Sequence, residues 1–267
     1  MDIIEVLKEI CYSVRDEVLR LGRDEAHESF GTGAGGDTIR KIDLVAERKA
    51  IEVIDRHGIE CMLLSEEAGM VKIGDGSNSN GMFVLDAIDG TTNALRGIPV
   101  YSCSIAYATS DTLSSVTHAA VINIPSGDIY YAVKNYGAYM NDRRLVIRNS
   151  GSSKCYVIGV NLSGIEYDRL LRLKNILAKT NHIRQLGSNA LELCYLAEGL
   201  IDAYIDIRGK IRVTDIAAAY LLVREAGGSI VDEYHNTLDA HLSLNKRLSF
   251  IAAVAYILDD ITKDIII

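Results

Sequence analysis

The stretch Val84 to Asn93, reading VLDAIDGTTN, constrains this chain more than any other. An apolar run, Met82 to Leu85, stops at Asp86, and Asp89, Gly90, Thr91, Thr92 and Asn93 follow closely. A β-branched, apolar run closed by acids and glycine reads as a buried strand that ends at a loop. Two carboxylates at such a strand end can converge on one divalent cation, or two cations can share one of them. Gly-Thr-Thr then offers backbone N–H groups at a helix start, which suits an anion such as phosphate. Carboxylates for hard cations beside amides for phosphate are the ingredients of metal-assisted phosphoryl transfer. The alternative is a strand end with two solvated acids and an ordinary helix cap, and this stretch alone does not choose between them.

The length, 267 residues, accommodates one large or two closely packed domains with a substantial core. No apolar run reaches the roughly 20 residues needed to cross a membrane. The opening MDIIEVLKEI carries early acids at helical spacing, so no secretory signal is expected. A net charge of −8 argues against a nucleic-acid partner and favours cations. Cys11, Cys61, Cys103, Cys155 and Cys194 are scattered without a C-x-x-C pair, so neither a zinc site nor a disulfide framework is expected. Each sits in an apolar stretch, as small core residues do. The expectation is a soluble cytoplasmic protein without a membrane or nucleic-acid partner.

Ile3, Leu7, Ile10, Val14, Val18 and Leu21 share one helical face, with Gly22 as the stop. Residues 31–36, GTGAGG, read as a mobile lid or a flexible connector. No G-K-[ST] follows, so a nucleotide cradle is not expected there. Asp43 opens a second helix with Ala46, Ala50, Val53 and Ile54 on its apolar face. Cys61 to Leu64 is a short strand ending in Ser65-Glu66-Glu67, a second strand end that delivers carboxylates, and residues 72–81 read as a polar loop. Strands over 102–108, 115–122 and 128–133 and a hairpin at 136–142 point to an antiparallel sheet in the first half. After about residue 148 strands and helices alternate: strand 156–160, helix 167–179, strand 182–186, helix 189–198, strand 201–205, helix 215–225, strand 229–231. That rhythm is the signature of helices covering a sheet. For Asp215 the ordinary reading is an acid favoured by a helix N-terminus.

Four pieces occur in order: Asp37-Thr38-Ile39-Arg40-Lys41-Ile42-Asp43, Ser65-Glu66-Glu67, Asp86-Ala87-Ile88-Asp89-Gly90-Thr91-Thr92-Asn93 and Thr214-Asp215-Ile216-Ala217-Ala218. Together they resemble the inositol monophosphatase family of magnesium-dependent, lithium-sensitive phosphatases. The archaeal-type members that act on inositol phosphates and fructose 1,6-bisphosphate are the best match. The resemblance covers nearly the whole chain. Two departures are Ala87, where the family has proline, and Thr214, where it has an aromatic or valine; neither position supplies a ligand.

The resemblance implies an α+β fold, a layered α/β/α/β/α sandwich of the sugar-phosphatase type. Residues 1–148 would form an N-terminal half carrying most metal ligands, and 149–267 a half carrying Asp215. Glu66, Asp86 and the Ile88 carbonyl would hold one magnesium; Asp86, Asp89 and Asp215 would hold a second. A third, looser ion would sit near Glu66. Asp43 and Thr91, with Glu66, would be catalytic, working through metal-activated water. Asp89, Gly90 and Thr91 would hold the reacting phosphate end of the substrate, Asn189 would lie near the sugar, and Arg184 and Arg208 would meet a distal phosphate. For the arginines the alternative is surface salt bridges. Tyr195 and Tyr204 read as core or interface aromatics. A homodimer follows only by analogy. The competing activity is dephosphorylation of 3′-phosphoadenosine phosphates or NADP, and a non-catalytic protein on the same fold is a third reading.

Overall fold

The computed structural model describes residues 2–74, 81–147 and 156–265. Two long amphipathic helices, α1 (Ile3–Arg20) and α3 (Lys41–Arg56), flank the short α2 (Arg23–Ala26). Between α2 and α3 the glycine-rich stretch forms a hairpin, β1 (Ser29–Thr32) with β2 (Thr38–Arg40), so the expected connector is partly paired. Then come β3 (Cys61–Ser65), β4 (Gly69–Ile73), β5 (Met82–Asp89), α4 (Thr91–Arg96), β6 (Ser102–Ala108), β7 (Val116–Asn123), β8 (Ile129–Val133), β9 (Gly137–Met140) and β10 (Arg143–Leu145). β4 takes residues 72 and 73 out of the expected polar loop, and residues 75–80 of that loop lie outside the described residues. β3 to β10 make one eight-stranded sheet in the order β10-β9-β8-β7-β6-β5-β3-β4, antiparallel except between β3 and β5.

The second half contains β11 (Val157–Val160), α5 (Tyr167–Arg172), α6 (Lys174–Lys179), β12 (His182–Arg184), α7 (Asn189–Glu198), β13 (Ala203–Ile211), α8 (Ala217–Glu225), β14 (Gly228–Val231), β15 (Leu248–Val254) and α9 (Ala255–Asp264). Its five strands run β12-β11-β13-β15-β14. The single helix expected over 167–179 is broken at the buried Leu173, where the chain turns to keep that side chain in the core. β15, unread in the sequence, lies between β13 and β14 and completes the sheet.

α1 packs on β6, β7 and β8, and α3 on β5, covering one face of the large sheet. α8 packs on its other face and on β14, while α7 meets β13, β15 and β7. α9 covers β15 and touches α6. The result is a helix, sheet, helix, sheet, helix stack, the expected α+β sandwich. One apolar core fills the space between α1, α3 and the large sheet, and a second joins the two sheets around α7 and α8. Cys11, Cys61, Cys103 and Cys194 are buried in these cores as free thiols, and Cys155 lies outside the described residues.

One irregularity positions the site. β5 does not stop at Asp86 but continues to Asp89 through a bulge: Asp86 pairs with Ser104 and Asp89 with Ser102. Residues three apart on a regular strand face opposite sides of the sheet. Here three steps on β5 oppose two on β6, so both acids face the same side.

Candidate active site

Glu66 follows β3, Asp86 and Asp89 close β5, and Asp215 sits in the turn between β13 and α8. The helix expected to open at Asp215 begins at Ala217, which leaves that carboxylate in the turn. Oxygens of Glu66, Asp86 and Asp215 lie within 4.8 Å of one another. The Glu66 turn is fixed by Ser65 Oγ, which accepts from the Ala68 N–H at 3.2 Å. Asp215 Oδ2 accepts from the Arg212 N–H at 2.9 Å.

Burial dominates the electrostatics. It pushes the Glu66 carboxyl up to about 8, helped by the neighbouring Asp215 charge. Asp215 is raised to about 7 by burial, against the opposing pull of the Arg212 N–H and guanidinium. Asp86 is raised well above the carboxylate range by burial, then by Glu66, Asp89 and Asp215. Acids this close cannot all ionise without a cation. An oxygen-only donor set suits a hard ion such as magnesium, so these residues fit the family's metal.

Asp89 stands apart from the trio. Its Oδ2 accepts from the Ser188 hydroxyl, from the Ala190 N–H at 2.8 Å and from Ser102 Oγ at 3.4 Å; its Oδ1 accepts from the Asn189 N–H at 3.1 Å. The carboxylate therefore caps the N-terminus of α7 and locks the two halves together beside the cluster.

The cluster floors a cleft of about 440 Å³ whose wall includes Asp43, Gly90, Thr91 and Asn189. Thr91 Oγ1 lies 3.1 Å from Asp43 Oδ1 and 3.0 Å from the Ile88 carbonyl, so its one proton chooses between them. Asp43 also accepts from the Arg40 N–H at 2.9 Å, and burial raises its carboxyl to about 6. Gly90 has φ 93° and a Cβ there would meet the Gly187 carbonyl at 3.1 Å, so only glycine fits this turn into α4. Asn189 Oδ1 accepts from the Tyr204 hydroxyl at 2.6 Å, so this buried aromatic also braces the cleft.

The two expected distal arginines fare differently. Arg184 is exposed on the edge strand β12, where, among the described residues, its guanidinium bonds only the adjacent Ile183 carbonyl, at 2.9 Å. Arg208 grips the buried Asp206 with Nε to Oδ1 at 2.9 Å and Nη2 to Oδ2 at 2.6 Å, and donates to the Ser163 carbonyl at 3.0 Å.

Among the wall residues to which sequence reasoning gave no role are Glu67 and Arg212. Glu67, raised to about 7 by burial and then by Asp43, faces the cleft. Arg212 pairs with Glu66 at 2.9 Å, bonds the Asp37 carboxylate and donates to the Gly35 carbonyl at 3.1 Å. Its position three residues before Asp215 was the available signal. The glycine loop is docked on the site: Ala34 N–H bonds the Glu67 carbonyl at 2.9 Å and Gly35 N–H the Glu66 carbonyl at 2.8 Å. A Cβ on Gly35 would meet Arg212 Nε at 2.9 Å and Glu66 Cγ at 3.0 Å.

A layered α+β protein with clustered carboxylates where its two sheets meet, beside a threonine–aspartate pair, has the architecture of the layered phosphatase folds. The sequence model of the inositol monophosphatase family matches residues 3–260, and the chain belongs to that family. It is 37% identical to a fructose-1,6-bisphosphatase/inositol-1-monophosphatase of Methanothermobacter thermautotrophicus, over 87% of this chain and 85% of that one. It is 33% identical to a bifunctional NADP phosphatase/NAD kinase of Methanococcus maripaludis, over 95% of this chain but 47% of that longer one. A solved inositol monophosphatase–fructose 1,6-bisphosphatase superimposes with a TM-score of 0.86 at 29% identity, covering 100% of both chains. Among the described residues no helix is long and apolar enough to cross a membrane.

Proposed function

We propose that this chain is a magnesium-dependent phosphomonoesterase that hydrolyses inositol 1-phosphate and fructose 1,6-bisphosphate. The observation that carries the reading is the convergence of Glu66, Asp86 and Asp215 within 4.8 Å in a cleft walled by the Thr91–Asp43 pair. Glu66, Asp86 and the Ile88 carbonyl would hold one ion; Asp86, Asp89 and Asp215 a second, with Asp89 offering Oδ1, which accepts one hydrogen bond here. A third would lie near Glu66. When bound, magnesium supplies Lewis acidity at the phosphoryl oxygens and makes water more acidic.

This chain's own groups do the rest. With the Ile88 carbonyl given to an ion, the Thr91 hydroxyl would donate to Asp43 and keep lone pairs for the attacking water. Asp43, raised to about 6, is largely ionised near neutral pH and takes up the proton through Thr91. First-turn amides of α4, lacking intrahelical acceptors, would cradle the phosphate. No covalent phospho-enzyme is needed, since Asp86 is committed to metal. Cytoplasmic location, a homodimer, lithium sensitivity and two halves meeting near residue 148 belong to the same reading by family analogy.

The second reading, NADP or 3′-phosphoadenosine phosphate hydrolysis, is favoured by the NADP phosphatase relative. A panel of inositol 1-phosphate, fructose 1,6-bisphosphate, 3′-phosphoadenosine 5′-phosphate and NADP, assayed for phosphate release with magnesium, separates the two. Faster turnover of the first pair supports the proposal; release from the nucleotides alone overturns it.

A further inference from the structure

The turn Leu186-Gly187-Ser188-Asn189 brings Gly187 and Asn189 to the wall of the carboxylate cleft. Its backbone is held from several sides. Asn93 Nδ2 donates to the Leu186 and Val100 carbonyls, each at 2.7 Å, which ties the turn to the first half. Asp89 accepts from the Ser188 hydroxyl and from the Asn189 and Ala190 N–H groups. Glu192 Oε1 accepts from the Leu186 N–H at 3.0 Å and the Gly187 N–H at 3.2 Å. Two carboxylates thus divide the amides of one turn, and in the phosphatase reading Asp89 is also a metal ligand while Glu192 is not.

Glu192 is not an ordinary helix acid. In a capping box the acid at the third helical position bonds the N-cap amide. α7 has Ser188 as its N-cap, so Glu192 stands at the fourth position and reaches past the cap to the two residues before it. Glu192 is 1% exposed, and its Oε2 has no hydrogen-bond partner among the described residues. A buried polar oxygen without a partner is costly, so stability alone does not account for an acid here. The strand beside it makes room: Gly159 on β11 has no left-handed φ, yet a Cβ there would meet Glu192 Oε2 at 2.9 Å and Tyr204 Cδ2 at 2.8 Å. Space, and not backbone freedom, is what this glycine provides. Both side chains that it admits brace the same turn, Glu192 at Leu186 and Gly187, Tyr204 at Asn189.

We propose that Glu192 is a positioning residue: through the Leu186 and Gly187 amides it sets the Gly187–Asn189 wall of the cleft, and it holds that wall whether or not an ion engages Asp89. The inference rests on the phosphatase reading of the cleft. Gly187 carries the effect across the cleft, because its carbonyl abuts Gly90 at the start of α4; a Cβ on Gly90 would meet it at 3.1 Å. A wall that meets the substrate equally before and during reaction acts on KM and leaves kcat alone.

The test uses Glu192→Leu, which fills the space without an acceptor, and Glu192→Gln, which keeps an oxygen for the two amides. With inositol 1-phosphate and saturating magnesium, the Leu variant should raise KM about tenfold and keep kcat within about threefold. The Gln variant should return KM to within about threefold of wild type. In the metal-free protein, amide exchange at Asn189 and Ala190, whose N–H groups bond Asp89 and not Glu192, should quicken about tenfold in the Leu variant but not in the Gln variant, with exchange in α1 unchanged. A Glu192 that serves stability alone gives a different pattern: less active protein, hence a lower kcat, at an unchanged KM. That pattern, a Gln variant as poor as the Leu variant, or unchanged exchange at Asn189 overturns the assignment. If the Leu variant does not fold, Gly159→Ala crowds the same carboxyl without removing it; KM should again rise, and an unchanged KM overturns the assignment. Quickened exchange in the Leu variant of a protein whose wild type releases phosphate from none of the four esters named above would sink the phosphatase reading and support the brace.

Discussion

The Arg212 guanidinium lies 2.9 Å from the Glu66 carboxylate and, from the same side chain, holds Asp37 and the Gly35 carbonyl. One residue thus ties the glycine loop to the carboxylate cluster. Arg212→Ala should release the loop. Charged hydrogen bonds contribute roughly 1.5–3 kcal/mol each, so amide exchange at Ala34 and Gly35 should quicken about tenfold or more. Exchange as slow as in wild type would mean the backbone bonds to Glu66 and Glu67 suffice.

Stability should depend on pH in a direction opposite to that of an ordinary acid-labile protein. Glu66, Glu67 and Asp215 have folded values of about 8, 7 and 7, all above the usual carboxylate range. Between the unfolded and folded values the folded chain binds more protons, so stability is lost as pH rises. In EDTA, Tm should fall from pH 5 to pH 8.5, and magnesium should reverse most of that fall. A Tm in EDTA that is flat or rises over this range contradicts the proposed self-repulsion of the acids.

Asp43 should set the acid limb of the rate profile. With its carboxyl at about 6, kcat/KM should climb with pH through that value and then level. Asp43→Asn should cost about a hundredfold or more and abolish that limb. A variant with near-normal turnover would remove Asp43 from the reaction.

Arg208 should matter first for folding. Asp206 is fully buried, and Arg208→Ala would leave it without its partner. Breaking such a pair costs about 3–5 kcal/mol. Arg184→Ala, at an exposed position, should stay within about 0.5 kcal/mol. Urea denaturation of both variants measures the contrast, and equal midpoints would refute it.

The sequence showed the site more clearly than its detail. Glu66 and Asp86 stood out as acids closing apolar runs, whereas Asp215, read locally as a helix N-terminal acid, joined them only through the ordered motifs that carry the family resemblance. The helix α7 was legible to its last residue because its apolar spacing is unbroken between Asn189 and Gly199. The bulge at Asp86–Asp89 was not, because a bulge depends on the partner strand, and nothing local to β5 encodes Ser104 and Ser102. The use of Asp89 to cap α7 depends on a contact across 99 residues to Ser188, beyond any local pattern. The sequence set Asp206 two residues before Arg208 but did not show that the two pair, nor that Arg184 stands exposed, because charge is visible there and ion pairing is not.

The most direct test of the central claim is the initial rate of phosphate release from inositol 1-phosphate against magnesium concentration, after EDTA treatment, in wild type and Asp215→Asn. The account predicts no release without magnesium, saturable activation in wild type, and in the variant a rate lowered by about a hundredfold or more with weaker activation. A chelator-insensitive rate, or an Asp215→Asn variant that matches wild type at low magnesium, would contradict it.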